Sequence, residues 1–115
     1  MTIFRHNVGK RLSEAVVHNN TVYLAGEVPD DTSRDITAQT EEVLGKIDRL
    51  LKQVGTDKSR LISAQIFLRD MGDFAGMNAA WEKWVVPSQT PVRATIEAKL
   101  ANPEYKVEIM AIAAL

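Results

Sequence analysis

The chain has 115 residues, with 14 Lys and Arg against 15 Asp and Glu, which gives a formal net charge of −1 at pH 7. This length suits one domain over residues 1–115 with a substantial apolar core, and the balanced charge disfavours nucleic acid and acidic lipid as partners. The absence of cysteine excludes disulfides, thiolate metal sites and a cysteine nucleophile, and it is typical of a cytosolic chain.

Nothing in the sequence predicts a membrane or secretory segment. Residues 1–6 lack the apolar region of a signal peptide, and the longest apolar run, residues 109–115, is far too short to cross a bilayer. We therefore expect a cytoplasmic protein without a membrane partner.

A β-hairpin is predicted over residues 16–25, because two short β-rich runs flank Asn19 and Asn20. Asparagine tolerates the positive φ angles that a tight hairpin turn requires. Residues 26–31 end the hairpin, and the loop continues to Asp35.

A long helix is predicted to begin after Asp35, which is a suitable N-cap. Apolar residues recur at helical spacing from Ile36 to Val54, and Gly55 follows as a stop signal. This spacing predicts an amphipathic helix with one buried stripe.

The rest of the chain predicts a strand, a second helix and two final strands. Residues 61–68 alternate as a strand, and residues 73–85 place most of their apolar side chains on one helical face. Residues 91–98 and 105–112 are the closing strands. The order β-β-β-α-β-α-β-β predicts an α/β (α+β) domain with one mixed sheet and both helices on a single face.

Such an arrangement leaves the other sheet face uncovered. Alternation is expected to place there an unusual mixture of apolar, polar and charged side chains. This predicted set is Val16, Tyr23, Ala25, Ser63, Gln65, Phe67, Arg93, Thr95 and Glu108. We expect self-association to bury this face, since mixed apolar surface of this kind usually marks an interface.

Arg93 and Glu108 are the candidate functional residues, because each is a charge inside an otherwise apolar strand. If residues 101–104 turn the chain between two antiparallel strands, Thr95 lies near Glu108 and the two charges converge. A structural ion pair and a functional site account equally well for that spacing. Asn78, an amide among apolar helical positions, is explained more simply by a helix-end hydrogen bond than by a polar pocket wall.

Other motifs point to no further chemistry. His6 and His18 stand apart without a second ligand at metal spacing, so no metal site is predicted. Phosphate-loop and nucleophile-elbow patterns are lacking, and Trp81 and Trp84 are better explained as core residues than as a stacking platform.

Five stretches of the sequence resemble the Rid family of reactive-intermediate deaminases, also called YjgF-like proteins, and most closely its short YoaB-like branch. The similarity covers nearly the whole chain. The stretches are Ser13-Glu14-Ala15-Val16, Leu24-Ala25-Gly26-Glu27-Val28-Pro29, Met77-Asn78-Ala79-Ala80-Trp81, Pro91-Val92-Arg93-Ala94-Thr95 and Lys106-Val107-Glu108-Ile109.

The resemblance implies a chorismate-mutase-like fold, a homotrimer with clefts between subunits, and hydrolytic deamination of 2-imino or enamine acids to 2-oxo acids and ammonia without a cofactor. It implies that Arg93 binds the substrate carboxylate, that the Thr95 N–H supports it, and that Glu108 handles the attacking water. Leu12 and Ala25 stand where the family often has tyrosine and serine. Those two substrate-contact positions therefore lack hydroxyl groups in this chain.

Two other functions remain open. A trimer that binds a small carboxylate such as a 2-oxo acid without turnover would use the same cleft, and Leu12 and Ala25 favour it. A structural or chaperone-like oligomer would need Arg93 and Glu108 only for stability.

Overall fold

The computed structural model describes residues 2–115. The helices and strands follow one another in the predicted order, with two short 3-10 turns between them. They are β1 Phe4–Val8, β2 Ser13–His18, β3 Thr21–Leu24, α1 Ile36–Val54, β4 Leu61–Leu68, α2 Phe74–Trp84, β5 Val92–Glu97 and β6 Val107–Ala114. The predicted α+β fold class is confirmed.

All six strands form one mixed sheet with the spatial order β1-β2-β3-β6-β4-β5. Every neighbouring pair is antiparallel except β4 and β5, which run parallel. The last strand in sequence is therefore central, because β6 pairs with β3 on one side and β4 on the other.

The local signals of the sequence account for the hairpin and the long helix. Asn19 and Asn20 take φ angles of 52° and 60° in the turn between β2 and β3. The Asp35 side chain accepts a hydrogen bond of 2.9 Å from the Ala38 N–H and caps α1. Gly55 ends the helix at a φ of 91°, a left-handed conformation that glycine adopts without strain.

The core lies between the two helices and one face of the sheet. Fully buried side chains of α1 and α2 pack against the inward residues of the central strands. These are Val43, Leu44, Ile47, Leu51 and Met77 from the helices, with Ala64, Ile66, Leu68, Val107, Ile109, Ala111 and Ala113 from β4 and β6. Both helices cover the same face, as predicted.

Within residues 2–115, no helix covers the opposite sheet face, which we call the open face. Tyr23, Met110 and Ile96 are exposed there at 44%, 37% and 47%. Phe67 pairs with Glu108, so both side chains lie on this face.

The predicted final hairpin is wrong. β5 does not pair with β6, because β4 lies between them. The connection from β4 through α2 to β5 is a parallel crossover that sets β5 at the sheet edge. Residues 98–106 then cross the end of β4, where Arg69 donates to the carbonyls of Leu100, Asn102 and Tyr105.

A close approach between the helices sets the position of α2. The Thr37 hydroxyl donates to the Gly76 carbonyl at 3.0 Å, and the Trp84 indole donates to Asp48 at 2.9 Å. A Cβ atom on Gly76 would lie 2.6 Å from Cγ2 of Ile36. The contact therefore requires glycine at this position of α2.

We predict opposite effects for two glycine substitutions in helices. Gly76→Ala should lower the free energy of unfolding by about 1–2 kcal/mol, because overpacking outweighs the better helix propensity of alanine. Gly45→Ala should raise it by up to about 1 kcal/mol, since the new Cβ would make only an ordinary contact of 3.7 Å with Nη1 of Arg49. Urea denaturation at one fixed protein concentration measures both. A stabilising Gly76→Ala would contradict the close approach.

Candidate functional site

Arg93 lies on β5 and points toward α2, on the helix-covered side of the sheet. Its Nη1 donates a 2.8 Å hydrogen bond to Oδ1 of Asn78. The guanidinium carbon is 5.3 Å from the ring centroid of Trp81 and 5.8 Å from that of Phe74. These aromatic faces and the amide fix the guanidinium in one place.

No carboxylate pairs with Arg93 within residues 2–115, where the salt bridge formed is that of Lys46 with Asp30. The hydrogen bond to Asn78 leaves most of the guanidinium N–H donors free. Burial lowers the pKa of Arg93 from its usual value, and the Glu82 carboxylate opposes this shift. Arginine nevertheless stays protonated at neutral pH, so Arg93 is a partly buried cation whose remaining N–H donors can bind an anion.

Thr95 lies two residues further along β5, on the same side as Arg93 and roughly 6.5 Å away along the strand. Its Oγ1 is buried and finds no hydrogen-bond partner among residues 2–115. An unpaired buried hydroxyl is costly, so its partner is expected to come from outside this group of residues.

Glu108 lies on the other side of the sheet. Its register partner in β4 is Phe67, whereas the partner of Arg93 is Ala64, which in turn pairs with Ala111. Strand spacing and rise then separate the Cα atoms of Arg93 and Glu108 by roughly 14 Å, with the side chains on opposite faces. The predicted convergence of the two charges within one chain is wrong, and so is the placement of Arg93 and Thr95 on the open face.

The side chain of Glu108 rests against Gly26. A Cβ atom on Gly26 would overlap the Glu108 carboxylate and lie 3.0 Å from its Cδ. Glu27 pairs with Ile109 through backbone hydrogen bonds of 2.8 and 3.0 Å, one residue out of step with the Tyr23–Ile112 register. The resulting irregularity brings Gly26 beside Glu108.

Ala25 lies next to Gly26 and therefore close to Glu108. The Ala25 N–H donates to the Glu14 carbonyl at 2.9 Å, which joins the start of β2 to the end of β3. Leu12 lies just before β2 and is 57% exposed. The structure thus divides the sequence-predicted site into two groups, one with Arg93 and Thr95 and one with Ala25 and Glu108, and it places Leu12 at the surface before β2.

Sequence reasoning missed part of each group. Trp81 is a core residue, as predicted, but its ring also contacts Arg93, and so does the ring of Phe74, which is 42% exposed. Asn78 holds Arg93 rather than a helix end. The position of Gly26 within a motif stretch was the signal that could have identified the Glu108 contact.

Comparison with known proteins shows the family. The profile of the family described as endoribonuclease L-PSP matches residues 5–115. A RutC family protein of Haemophilus influenzae is 53% identical over 114 residues, covering 98% of each chain. The RutC family protein YoaB of Escherichia coli is 48% identical over 115 residues and covers all of both chains.

A solved structure of a related protein has the same fold. A member of the YjgF protein family from Neisseria meningitidis is 45% identical, with a TM-score of 0.97, over 99% of this chain and 95% of that one. The fold and site thus define a YjgF-like α+β protein. The chain belongs to the endoribonuclease L-PSP family and falls in its YoaB-like branch, which confirms the Rid resemblance.

A further relative carries a functional name. Reactive Intermediate Deaminase A of Arabidopsis thaliana, a chloroplast protein, is 33% identical over 109 residues, covering 90% of this chain and 58% of its own. Within residues 2–115, no helix is both long and apolar enough to cross a membrane.

We predict that Gly26→Ala displaces the Glu108 side chain while the protein stays folded. The free energy of unfolding should change by less than about 1 kcal/mol, because the overlapping atoms belong to the end of a flexible side chain. A crystal structure of the variant should show Glu108 in another rotamer.

A double-mutant cycle supplies the control. In a Glu108→Ala background the added methyl group meets no carboxylate, so the effect of Gly26→Ala on stability should disappear. Equal effects of Gly26→Ala in both backgrounds would show that the two residues are not coupled.

Proposed function

We propose that this protein hydrolyses 2-imino acids and their enamine tautomers to 2-oxo acids and ammonia, in clefts between the subunits of a homotrimer. The observation that carries this proposal is the unpaired Arg93 guanidinium, held by Asn78, Phe74 and Trp81. Membership of a family that includes a reactive intermediate deaminase supports it.

We assign Arg93 the role of binding the substrate carboxylate. A guanidinium presents parallel N–H donors that match the two oxygens of a carboxylate, and an aromatic cradle stops the fork from rotating. The free Thr95 hydroxyl is a second donor on the same side of β5. The substrate is therefore a small organic acid held by one end.

We assign Glu108 the role of the base that activates the attacking water. The carboxylate accepts a proton as the water oxygen bonds to C2 of the imine, while the imine nitrogen takes up a proton to give a carbinolamine. The C2–N bond then breaks, ammonia leaves with the electron pair and a proton, and the hydroxyl proton is lost to give the 2-oxo acid. One water is consumed for each ammonia released.

The two groups are proposed to meet across a subunit boundary. Within one chain Arg93 and Glu108 are on opposite faces, so a single copy cannot present both to one small molecule. In a three-fold ring, each boundary joins one surface of a subunit to a different surface of the next, so Arg93 of one copy can face Glu108 of its neighbour. The exposed apolar residues of the open face supply surface for such an assembly.

A binding protein without turnover is the second candidate. Leu12 and Ala25 carry no hydroxyl, which leaves carboxylate capture by Arg93 intact but removes two polar groups that the resemblance implies for the cleft. Calorimetric titration with 2-oxobutanoate beside the imine assay separates the two functions. Binding without acceleration of hydrolysis supports the carrier.

Arg93→Ala should lower kcat/KM for 2-iminopropanoate roughly 10- to 100-fold, the effect of losing charged hydrogen bonds to a carboxylate. An amino-acid oxidase generates the imine, and trapping of the remaining imine reports its loss. Arg34→Ala is the matched control, since Arg34 is an exposed arginine outside the site, and it should retain parental activity. Parental activity in Arg93→Ala would exclude the assigned role.

Mixed oligomers test whether each cleft needs two subunits. Arg93→Ala and Glu108→Gln proteins should each retain at most about a tenth of the parental activity, and co-refolding them in equal amounts should restore about a quarter of it. That fraction of boundaries pairs an intact Arg93 with an intact Glu108 in a randomly mixed ring. Analytical ultracentrifugation verifies that mixed trimers have formed. If these trimers recover no activity, both residues act in one subunit's site. A monomer at micromolar concentration would exclude a cleft between subunits.

A further inference from the structure

A cavity of about 450 Å³ lies under α1, away from Arg93. We call it the α1 cavity. Its walls come from α1, from the β1 and β2 ends and from the loop after β3. The lining residues are Asn7, Glu14, Glu27, Asp30, Lys46, Arg49, Leu50 and Gln53.

Glu27 is a carboxylate buried in the wall of this cavity. Only 8% of the residue is exposed, and its backbone is fixed by the two hydrogen bonds to Ile109. Ile109 belongs to the helix-covered side of the sheet, so its bridge partner Glu27 faces under α1. Among residues 2–115 the Glu27 carboxylate makes no hydrogen bond or salt bridge.

Burial raises the pKa of Glu27 to about 7. The neighbouring charges of Glu14, Asp30 and Glu108 raise it too, and that of Lys46 lowers it. At neutral pH the group is thus close to half-ionised, and any added positive charge in the cavity favours the ionised form.

Within residues 2–115, neither Lys46 nor Arg49 forms a salt bridge with Glu27. Lys46 donates to Asp30 and to the Val28 carbonyl, both at 2.7 Å. Arg49, on the same helix, is exposed at the surface. The buried Glu27 therefore has no cation of its own.

The amides of the cavity are also engaged. Asn7 and Gln53 exchange hydrogen bonds of 3.0 and 3.1 Å. Asn7 also donates to Oε2 of Glu14 at 2.7 Å, which leaves the other oxygen of Glu14 free. Two acceptors, Glu27 and one oxygen of Glu14, therefore remain for a ligand.

We propose that the α1 cavity binds a small molecule carrying a primary ammonium group, with that group at Glu27. An ammonium is compact and has several donors, so it can serve Glu27 and the free oxygen of Glu14 together. It also balances the excess of Glu14, Glu27 and Asp30 over Lys46 and Arg49. Leu50 offers an apolar surface for a short carbon chain.

Binding is predicted to depend on pH in a defined direction. The ligand keeps its charge through neutral pH, because the pKa of an alkylammonium is about 10. Glu27 must be ionised to bind it, so affinity rises with pH. A pKa of about 7 makes binding about tenfold weaker at pH 6 than at pH 8, with release of about half a proton per ligand at pH 7.

Isothermal titration with methylammonium chloride at pH 6, 7 and 8 and constant ionic strength tests the proposal. Saturable binding at millimolar concentration is expected, with the stated loss at pH 6. Tetramethylammonium chloride, which has no N–H donors, should not bind. Equal binding of both cations, or no binding of methylammonium, would overturn the proposal.

Variants locate the site. Glu27→Gln should abolish binding, and Glu41→Gln, which alters an exposed carboxylate of α1 outside the cavity, should leave it unchanged. Repeating the titration of the unaltered protein in buffers of different ionisation enthalpy measures the released proton without any variant. Binding without proton release at pH 7, or undiminished binding by Glu27→Gln, would place the ligand elsewhere.

Two further titrations identify the source of the ammonium group. Ammonium chloride tests the bare ion, and glycine adds a carboxylate that Arg49 can meet at the cavity surface. Tighter binding of glycine than of methylammonium assigns the site to amino acids, and the reverse assigns it to simple amines. The proposal does not depend on imine hydrolysis, since every titration omits the imine.

Discussion

The central position of β6 is the constraint on which the rest of this structure depends. β6 holds β3 on one edge and β4 on the other, so the two halves of the sheet are joined only through it. Its inward residues Val107, Ile109, Ala111 and Ala113 complete the core under the helices. Its outward Glu108 is consequently fixed on the open face, opposite to the side that α2 covers.

The same topology determines what Arg93 can do. Because α2 carries the chain from β4 to a parallel β5, Arg93 comes to lie beneath the helix that supplies Asn78, Phe74 and Trp81. A partly buried guanidinium without an anion is stabilised by one amide and two aromatic faces, which is less than a carboxylate would give. A bound carboxylate would compensate that shortfall, and this is the physical basis of the role proposed for Arg93.

Most of the local structure could be predicted from the sequence, because its signals are short in range. The Asn19-Asn20 turn, the Asp35 cap and the Gly55 stop each act within a few residues, and the helix periodicity indicates one buried face. The pairing of the strands, by contrast, depends on contacts between residues that are far apart in the sequence. Alternation showed which residues share a side of β5, but it could not show that β4 lies between β5 and β6. For this reason Arg93 and Glu108 were predicted to be neighbours on one sheet face, whereas they lie on opposite faces.

The candidate residues could be selected from the sequence, but their arrangement could not. Arg93 and Glu108 stood out as charges in apolar strands, whereas the Gly26 contact and the aromatic cradle depend on tertiary packing that no local pattern encodes. Glu27 stands in a motif stretch, but nothing in the sequence indicated its burial, since a single glutamate in a loop is normally a solvated residue.

The side-chain pattern of β5 is the strongest argument for the proposed self-association. In a sheet covered on one side, apolar residues normally face the helices, yet in β5 the apolar Val92, Ala94 and Ile96 lie on the open face, while Arg93 and Thr95 face the helix side. This inversion makes sense if the open face is a second core shared between copies and the helix side of β5 lines a polar cleft. Self-association would then bury Val92 and Ile96, which are 71% and 47% exposed. It would also bring groups of a second copy toward Arg93 and toward the Thr95 hydroxyl, which has no hydrogen-bond partner within residues 2–115.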